Sequence, residues 1–190
     1  MTDNLRQLFR TRASRFDSLL RPYLDDMYRL ALRLSGNEHD AEDLVQDLAI
    51  RLYPRLDELE KVECLRPWLA RVLHNLYIDA IRSRQRRPHG YIDHDSDRHL
   101  AGLRDQADGP EERFEQDDLQ RELAASIACL SEEHRYVVIM HDMEGYTLNE
   151  LTGILDVPLG TLKSRLHRAR RQLRDTINRE LSEHIQRAKV

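Results

Sequence analysis

Between Leu19 and Leu34 the apolar side chains Leu20, Tyr23, Leu24, Met27, Leu30, Ala31 and Leu34 recur at steps of three and four, the spacing of one helix face. Ser35, Gly36 and Asn37 end this segment, and Gly36 suits the left-handed residue that closes many helices. A second run, "DAEDLVQDLAIRLY" at 40–53, turns Leu44, Val45, Leu48, Ala49 and Leu52 inward and leaves Asp43, Gln46, Asp47 and Arg51 outside. Asp40 is expected to cap it, with Glu42 and Asp43 in the first turn, where the helix dipole favours anions. A third helix is expected from Pro67, with Trp68, Leu69, Val72, Leu73, Leu76, Ile78 and Ile81 on its apolar face. It closes in a basic cluster of Arg82, Arg84, Arg86 and Arg87 before Pro88.

From Pro88 to about Glu115 the periodicity fades into Gly, Pro, Asp and Ser, the composition of a linker. Regular spacing returns with Phe114, Leu119, Leu123, Ile127 and Leu130, and Ser131 is expected to cap a further helix. The last strong pattern is "TLNELTGILDVPLGTLKSRLHRARRQL", which has the layout of a helix-turn-helix. Thr147 and Glu150 form a capping-box pair, Leu148, Leu151, Ile154 and Leu155 face inward, and "DVP" makes the break. Asp156 tolerates the left-handed conformation that such a turn requires. The next helix, from about Pro158, buries Leu159, Leu162, Leu166, Ala169 and Leu173. Its outer face shows Thr161, Lys163, Ser164, Arg165, His167, Arg168 and Arg171. Helices enter the major groove, where Lys and Arg meet phosphates and guanine acceptors, and small Gly160 lets the helix start come close.

Charge sharpens this picture. The chain has a formal net charge of -4, yet residues 159–190 hold 9 basic and 3 acidic side chains, whereas 88–122 hold 4 basic and 11 acidic. A cationic surface and an acidic tether therefore have separate roles. Few glycines and prolines, abundant Leu, Arg and Glu, and no long alternating β-branched run give an all-α expectation. Two small helical domains follow, at 15–88 and 114–180, joined by an acidic linker at 89–113. Cys64 and Cys129, the two cysteines, have no CxxC partner, which fits a reducing compartment. Neither a signal-like leader nor a run of eighteen apolar residues occurs, so the expected location is cytoplasmic. His89, His94 and His99 alternate with Asp93, Asp95 and Asp97, but a flexible acidic tether without thiolates does not fix ligand geometry, so no metal is expected. "SEEH" is not HExxH, and Gly-rich phosphate loops and nucleophile turns are missing. Catalysis by this chain alone is not expected.

Three motifs stand in order: "DAEDLVQ" at 40–46, "WLARVLHNLYIDAIRSRQRR" at 68–87 and "VPLGTLKSRLHRARRQL" at 157–173. Together they resemble the extracytoplasmic-function group of bacterial RNA polymerase sigma factors, over about residues 15 to 180. The resemblance implies that Asp43, Gln46, Asp47 and Arg51 dock on the coiled coil of the largest polymerase subunit, with a second contact at the flap. It implies that the helix from residue 68 reads and melts the −10 promoter element. His74 and Asn75 are the leading base readers, Arg71 belongs to the same set, and the Lys61-to-Leu65 loop, with Cys64, is the base pocket. Arg82, Arg84 and Arg86 then suit phosphates beside the melted segment. The outer face of the 158–173 helix becomes the −35 reader. Such proteins are commonly held inactive by an anti-sigma factor, which makes one an expected partner beside core polymerase and promoter DNA. Two other readings stay open: a conventional helix-turn-helix repressor, which leaves the first two motifs unexplained, and a sigma mimic that only sequesters an inhibitor.

Overall fold

The computed structural model describes residues 2–86 and 123–187, and side-chain surroundings within 12–86 and 123–179. The expected linker at 89–113, Phe114, Leu119 and the histidine-rich stretch lie outside the described residues. All regular elements among the described residues are helical.

The first helix, α1, runs Thr2–Ser35, far longer at its start than expected. It ends as expected at Gly36, whose φ is +73° and whose N–H donates to the Leu32 carbonyl at 2.8 Å. The second, α2, spans Glu38–Leu52, and its cap is Asn37, not Asp40. The Asn37 side-chain oxygen accepts the Asp40 N–H at 2.8 Å, while its amide donates to the Asp40 carboxylate at 3.0 Å. Asp40 sits instead in the first turn and pairs with Arg84 at 2.5 Å. A 3-10 turn, Tyr53–Arg55, and a single-turn helix, α3 (Leu56–Leu59), lead to α4, Leu65–Arg86. Pro67 lies two residues inside α4, still within the first turn, where its missing N–H has no intrahelical acceptor to lose. Helices α1, α2 and α4 pack together.

After a helical segment at 123–128 (α5), α6 spans Glu132–Val138 and continues as a π-helical turn, Ile139–Met143. Ser131 stands at the start of α6, but its hydroxyl makes no capping bond; only its carbonyl takes part, accepting from the Arg135 N–H at 2.9 Å. Helices α7 (Leu148–Leu155) and α8 (Leu159–Arg187) form the helix-turn-helix. The Thr147 capping box is present in full. The Thr147 N–H donates to Glu150 Oε2 at 2.7 Å, and the Glu150 N–H donates to Thr147 Oγ1 at 3.2 Å. Thr147→Ala is expected to cost about 1 kcal/mol of stability, read as a lower denaturant midpoint; an unchanged midpoint would contradict this role.

The two halves do not stand apart. Helix α7 packs on α4 as well as on α8, and one apolar cluster runs from Leu20 through Leu69 and Leu73 to Val137, Leu151, Leu162 and Ala169. Among the described residues no helix is long and apolar enough to cross a membrane, and no group of His, Cys, Asp and Glu is placed to hold a metal ion.

Candidate nucleic-acid interface

The turn between α7 and α8 depends on Asp156, at φ 55° and ψ 46°, the left-handed conformation expected from sequence. This turn sets α8 so that Leu162, Leu166 and Ala169 are buried while Thr161, Lys163, His167, Arg168 and Arg171 are exposed. Lys163, His167 and Arg168 make no ion pair among the described residues, so their charge and hydrogen-bonding capacity stay available to an anion. Arg171 faces Asp175 on its own helix at 3.9 Å, a pair too exposed to hold it.

Two of the expected contacts are turned toward the protein itself. Ser164 is half-buried and its hydroxyl donates to the Thr161 carbonyl at 2.9 Å. Arg165 is half-buried and pairs with Glu133 on α6 at 2.7 Å. Arg170, which sequence reading passed over, forms a two-pronged pair with Asp142 in the π turn, with Nε donating at 3.0 Å. Arg165 and Arg170 thus brace α8 against α6 and the π turn that continues it, and the outward cations lie between them around the helix. Gly160 would meet nothing within 4 Å if it carried a Cβ, so the start of α8 is open.

On α4, Arg71, Asn75 and Arg82 are exposed, and steps of four and seven place them on one stripe of the helix. Lys61 and Cys64 are exposed in the loop just before α4, and Arg84 and Arg86 are exposed at its end. His74 differs from its neighbour. It is buried, its ring stands edge-on to Tyr136 at 5.4 Å, and neither ring nitrogen has a hydrogen-bond partner among the described residues. Burial pushes its imidazole down to about 4, so it is neutral at pH 7. In this arrangement His74 faces the second module, while Asn75 faces out.

Asp43, Gln46, Asp47 and Arg51 are all exposed on α2. Among them stands Ile50, 70% exposed, which sequence reading left out. Its signal was present: it is an apolar residue out of phase with Leu44, Leu48 and Leu52, on the polar stripe. Arg33, Arg66, Tyr136 and Glu144 were also missed, because their importance lies in contacts between the two halves.

A helical bundle joined to a capped helix-turn-helix, on whose outer face Lys163, His167 and Arg168 make no ion pair among the described residues, has the architecture of a DNA-binding protein of the transcription class. Two family models match the chain: sigma-70 region 2 over residues 19–87 and sigma-70 region 4 over residues 120–173. The chain is 38% identical over 173 residues to the extracytoplasmic-function (ECF) sigma factor SigE of Mycolicibacterium smegmatis, covering 91% of this chain and 65% of that protein. It is 33% identical over 168 residues to ECF sigma factor SigW of Bacillus subtilis, covering 84% of this chain and 87% of that one. In fold it resembles sigma factor RpoE of Bartonella quintana, solved with the anti-sigma factor NepR, at TM-score 0.65 and 23% identity, covering 86% of this chain and 96% of that one. The chain belongs to the sigma-70 family, in its extracytoplasmic-function group.

Proposed function

We propose that this chain is an alternative sigma factor: it binds core RNA polymerase and directs initiation at promoters with separate −10 and −35 elements. The observation that carries the reading is the outer face of α8, where Lys163, His167 and Arg168 are exposed and make no ion pair among the described residues, while Arg165 and Arg170 brace the helix behind them. In this reading Thr161, Lys163, His167, Arg168 and Arg171 meet the −35 major groove, while Ser164 stays bonded within α8 and Arg165 positions the helix. Asn75 and Arg71 read the −10 strand beside the Lys61-to-Cys64 loop, with Arg82, Arg84 and Arg86 on its phosphates. His74 belongs to this face only if the second module moves away from it. The protein works where polymerase works, in the cytoplasm, and the polymerase performs the catalysis.

The polymerase-docking stripe of α2 takes Ile50 as its apolar centre, ringed by Asp43, Gln46, Asp47 and Arg51. Ile50→Ala is expected to weaken core binding by about 1–2 kcal/mol, roughly 5- to 30-fold, without lowering thermal stability. Equal core affinity in a titration would remove Ile50 from that surface.

Run-off transcription with purified bacterial core polymerase and a promoter library tests the whole reading. Promoter-dependent transcripts are expected only when the chain is added. A chain that binds DNA unaided and supports no initiation is a repressor, and one that does neither yet captures an anti-sigma protein is a mimic. Two structures of similar fold, RpoE with NepR and CnrH with the cytosolic domain of CnrY, are each bound to another protein, named an anti-sigma factor for NepR. That supports an anti-sigma partner here.

A further inference from the structure

The forward half of α1 closes over the segment that carries the Lys61-to-Cys64 loop. Arg12 donates from Nη2 to the Pro54 carbonyl at 2.9 Å and to the Tyr53 carbonyl at 3.4 Å, and its Nη1 lies 3.4 Å from Asp57 Oδ2. These carbonyls stand just past the end of α2, where cations are favoured. Three residues on, Arg15 takes Glu60 with two prongs, Nε donating to Oε1 at 3.0 Å and Nη2 to Oε2 at 2.5 Å, and lies 3.6 Å from Asp57. Phe16 adds an edge-on ring contact with Tyr53 at 5.2 Å. From the other side, Arg55 pairs with Glu58 at 2.7 Å, and its guanidinium stands over the Trp68 ring of α4, 5.7 Å from the centroid.

Glu60 immediately precedes the loop. Leu56 and Leu59 are buried before it and Leu65 after it, but between them only Val62 is half-buried, while Lys61, Glu63 and Cys64 are exposed. The backbone here runs through tight turns. The Glu60 N–H donates to the Leu56 carbonyl at 3.0 Å, the Lys61 N–H to Glu58 at 3.1 Å and the Val62 N–H to Leu59 at 3.0 Å. A shift at Glu60 therefore passes along the backbone into Lys61 and Val62, with little side-chain packing to absorb it. A lone exposed ion pair holds little, but a two-pronged arginine–carboxylate contact within a network of charges holds more. The sigma-70 region 2 match begins at residue 19, so both arginines lie on the part of α1 ahead of it.

We infer that Arg12 and Arg15 are positioning residues for −10 reading: they fix the Tyr53-to-Glu60 segment and thereby hold the Lys61-to-Cys64 loop in shape for an extruded base. The inference rests on the −10 reading above. The two arginines act on the base only through Glu60 and the turns that follow it. A binding site needs its supports held to within about 0.5 Å, so loosening this clamp blurs the choice of base. The polymerase-docking stripe of α2 and the outer face of α8 do not depend on it.

Holoenzyme assembled from the full chain and purified core polymerase, on a promoter recovered from the run-off library, gives the test. 2-Aminopurine in the −10 element brightens when its base leaves the stack, and so reads the extrusion itself. Arg12→Ala with Arg15→Ala is expected to lower opening about tenfold. It is also expected to narrow the differences among templates carrying each of the four bases at the extruded position, with core affinity and −35 duplex binding unchanged. Glu60→Gln, which keeps the shape and removes the charge, is expected to give a smaller loss of the same kind. Exchanging the pair, Arg15→Glu with Glu60→Arg, is expected to restore most of the opening that either change alone removes. A brace that serves only the fold predicts equal losses on all four templates together with weaker core binding. That result overturns the inference, as does unchanged opening and base preference in the folded arginine variant and in Glu60→Gln. Asn75→Ala separates the clamp from the reading beneath it. If Asn75→Ala lowers opening and the arginine variant does not, the clamp alone fails; if Asn75→Ala leaves opening intact, the −10 reading fails and the clamp with it.

Discussion

Replacing Lys163 and Arg168 together by alanine is expected to abolish −35-dependent initiation while core polymerase binding stays intact. Both side chains are exposed on α8 and make no ion pair among the described residues, so neither is needed to hold the fold. Each such contact to a guanine edge or phosphate is worth about 1–3 kcal/mol. Losing two costs ~30-fold to ~10⁴-fold in promoter affinity. Each lost phosphate contact also flattens the salt dependence of binding by about one unit of slope. Arg165→Ala is expected to behave differently. It releases Glu133, loosens α8 from α6 and lowers stability along with promoter use. Run-off transcription on a −35-bearing template, beside a core-binding titration, separates the two. Unchanged initiation by the double variant would show that the outer face of α8 is not the DNA face.

Acidification is expected to weaken the packing of the two halves through His74. Its pKa is ordinarily 6.5 and falls to about 4 in the buried site. The unfolded chain binds more protons across that interval, so stability rises with pH there. The His74 contribution is complete above pH 6.5 and is lost as pH falls toward 4. A shift of this size corresponds to about 3 kcal/mol at most. The group facing His74 from α6 is Tyr136, itself pushed upward by burial, with Tyr77, Glu132 and Arg135 acting on that phenol. Glu144 works in the opposite sense. Its pKa, raised by burial, gives a contribution that is lost as pH rises, so acid favours it. His74→Phe keeps an aromatic edge for Tyr136 and removes only the titrating ring. Denaturant midpoints between pH 4.5 and 8 are expected to fall with acid in the unaltered protein and to fall much less in the variant. Parallel curves would assign the acid response elsewhere.

Local rules read from the sequence succeeded where the interaction was local. The Thr147–Glu150 capping box, the left-handed Asp156 and the Gly36 terminus each involve residues within four positions, and each stands as expected. The family and its all-α fold were equally legible, because three motifs in order constrain the whole chain. The cap of α2 was misjudged by three residues: Asn37 and Asp40 are both good caps, and it is Asn37, with extended backbone at φ −148°, that takes the role, while Asp40 lies in the first turn and pairs with Arg84. The start of α1 was legible but passed over: Leu5, Leu8, Phe9 and Ala13 carry the helical steps back from Phe16. What no local pattern shows is that the part of α1 near Arg12 and Arg15 is tied through ion pairs to Asp57 and Glu60. His74 and Asn75 are adjacent in sequence but about 100° apart around α4. Only the placement of Tyr136 decides which of them is covered. A contact across the two modules leaves no periodic trace in either one.

The apolar cluster that runs unbroken through both modules has a thermodynamic signature. Two domains on a tether ordinarily melt in two steps, each with its own midpoint. With α7 wedged between α4 and α8, neither module can unfold without exposing the other's buried face. A single cooperative calorimetric transition is therefore expected for the free chain, splitting into two when Arg66 is replaced by alanine. Damage to the helix-turn-helix would then be felt as lost stability in the polymerase-binding half, although the two halves are separate modules in sequence.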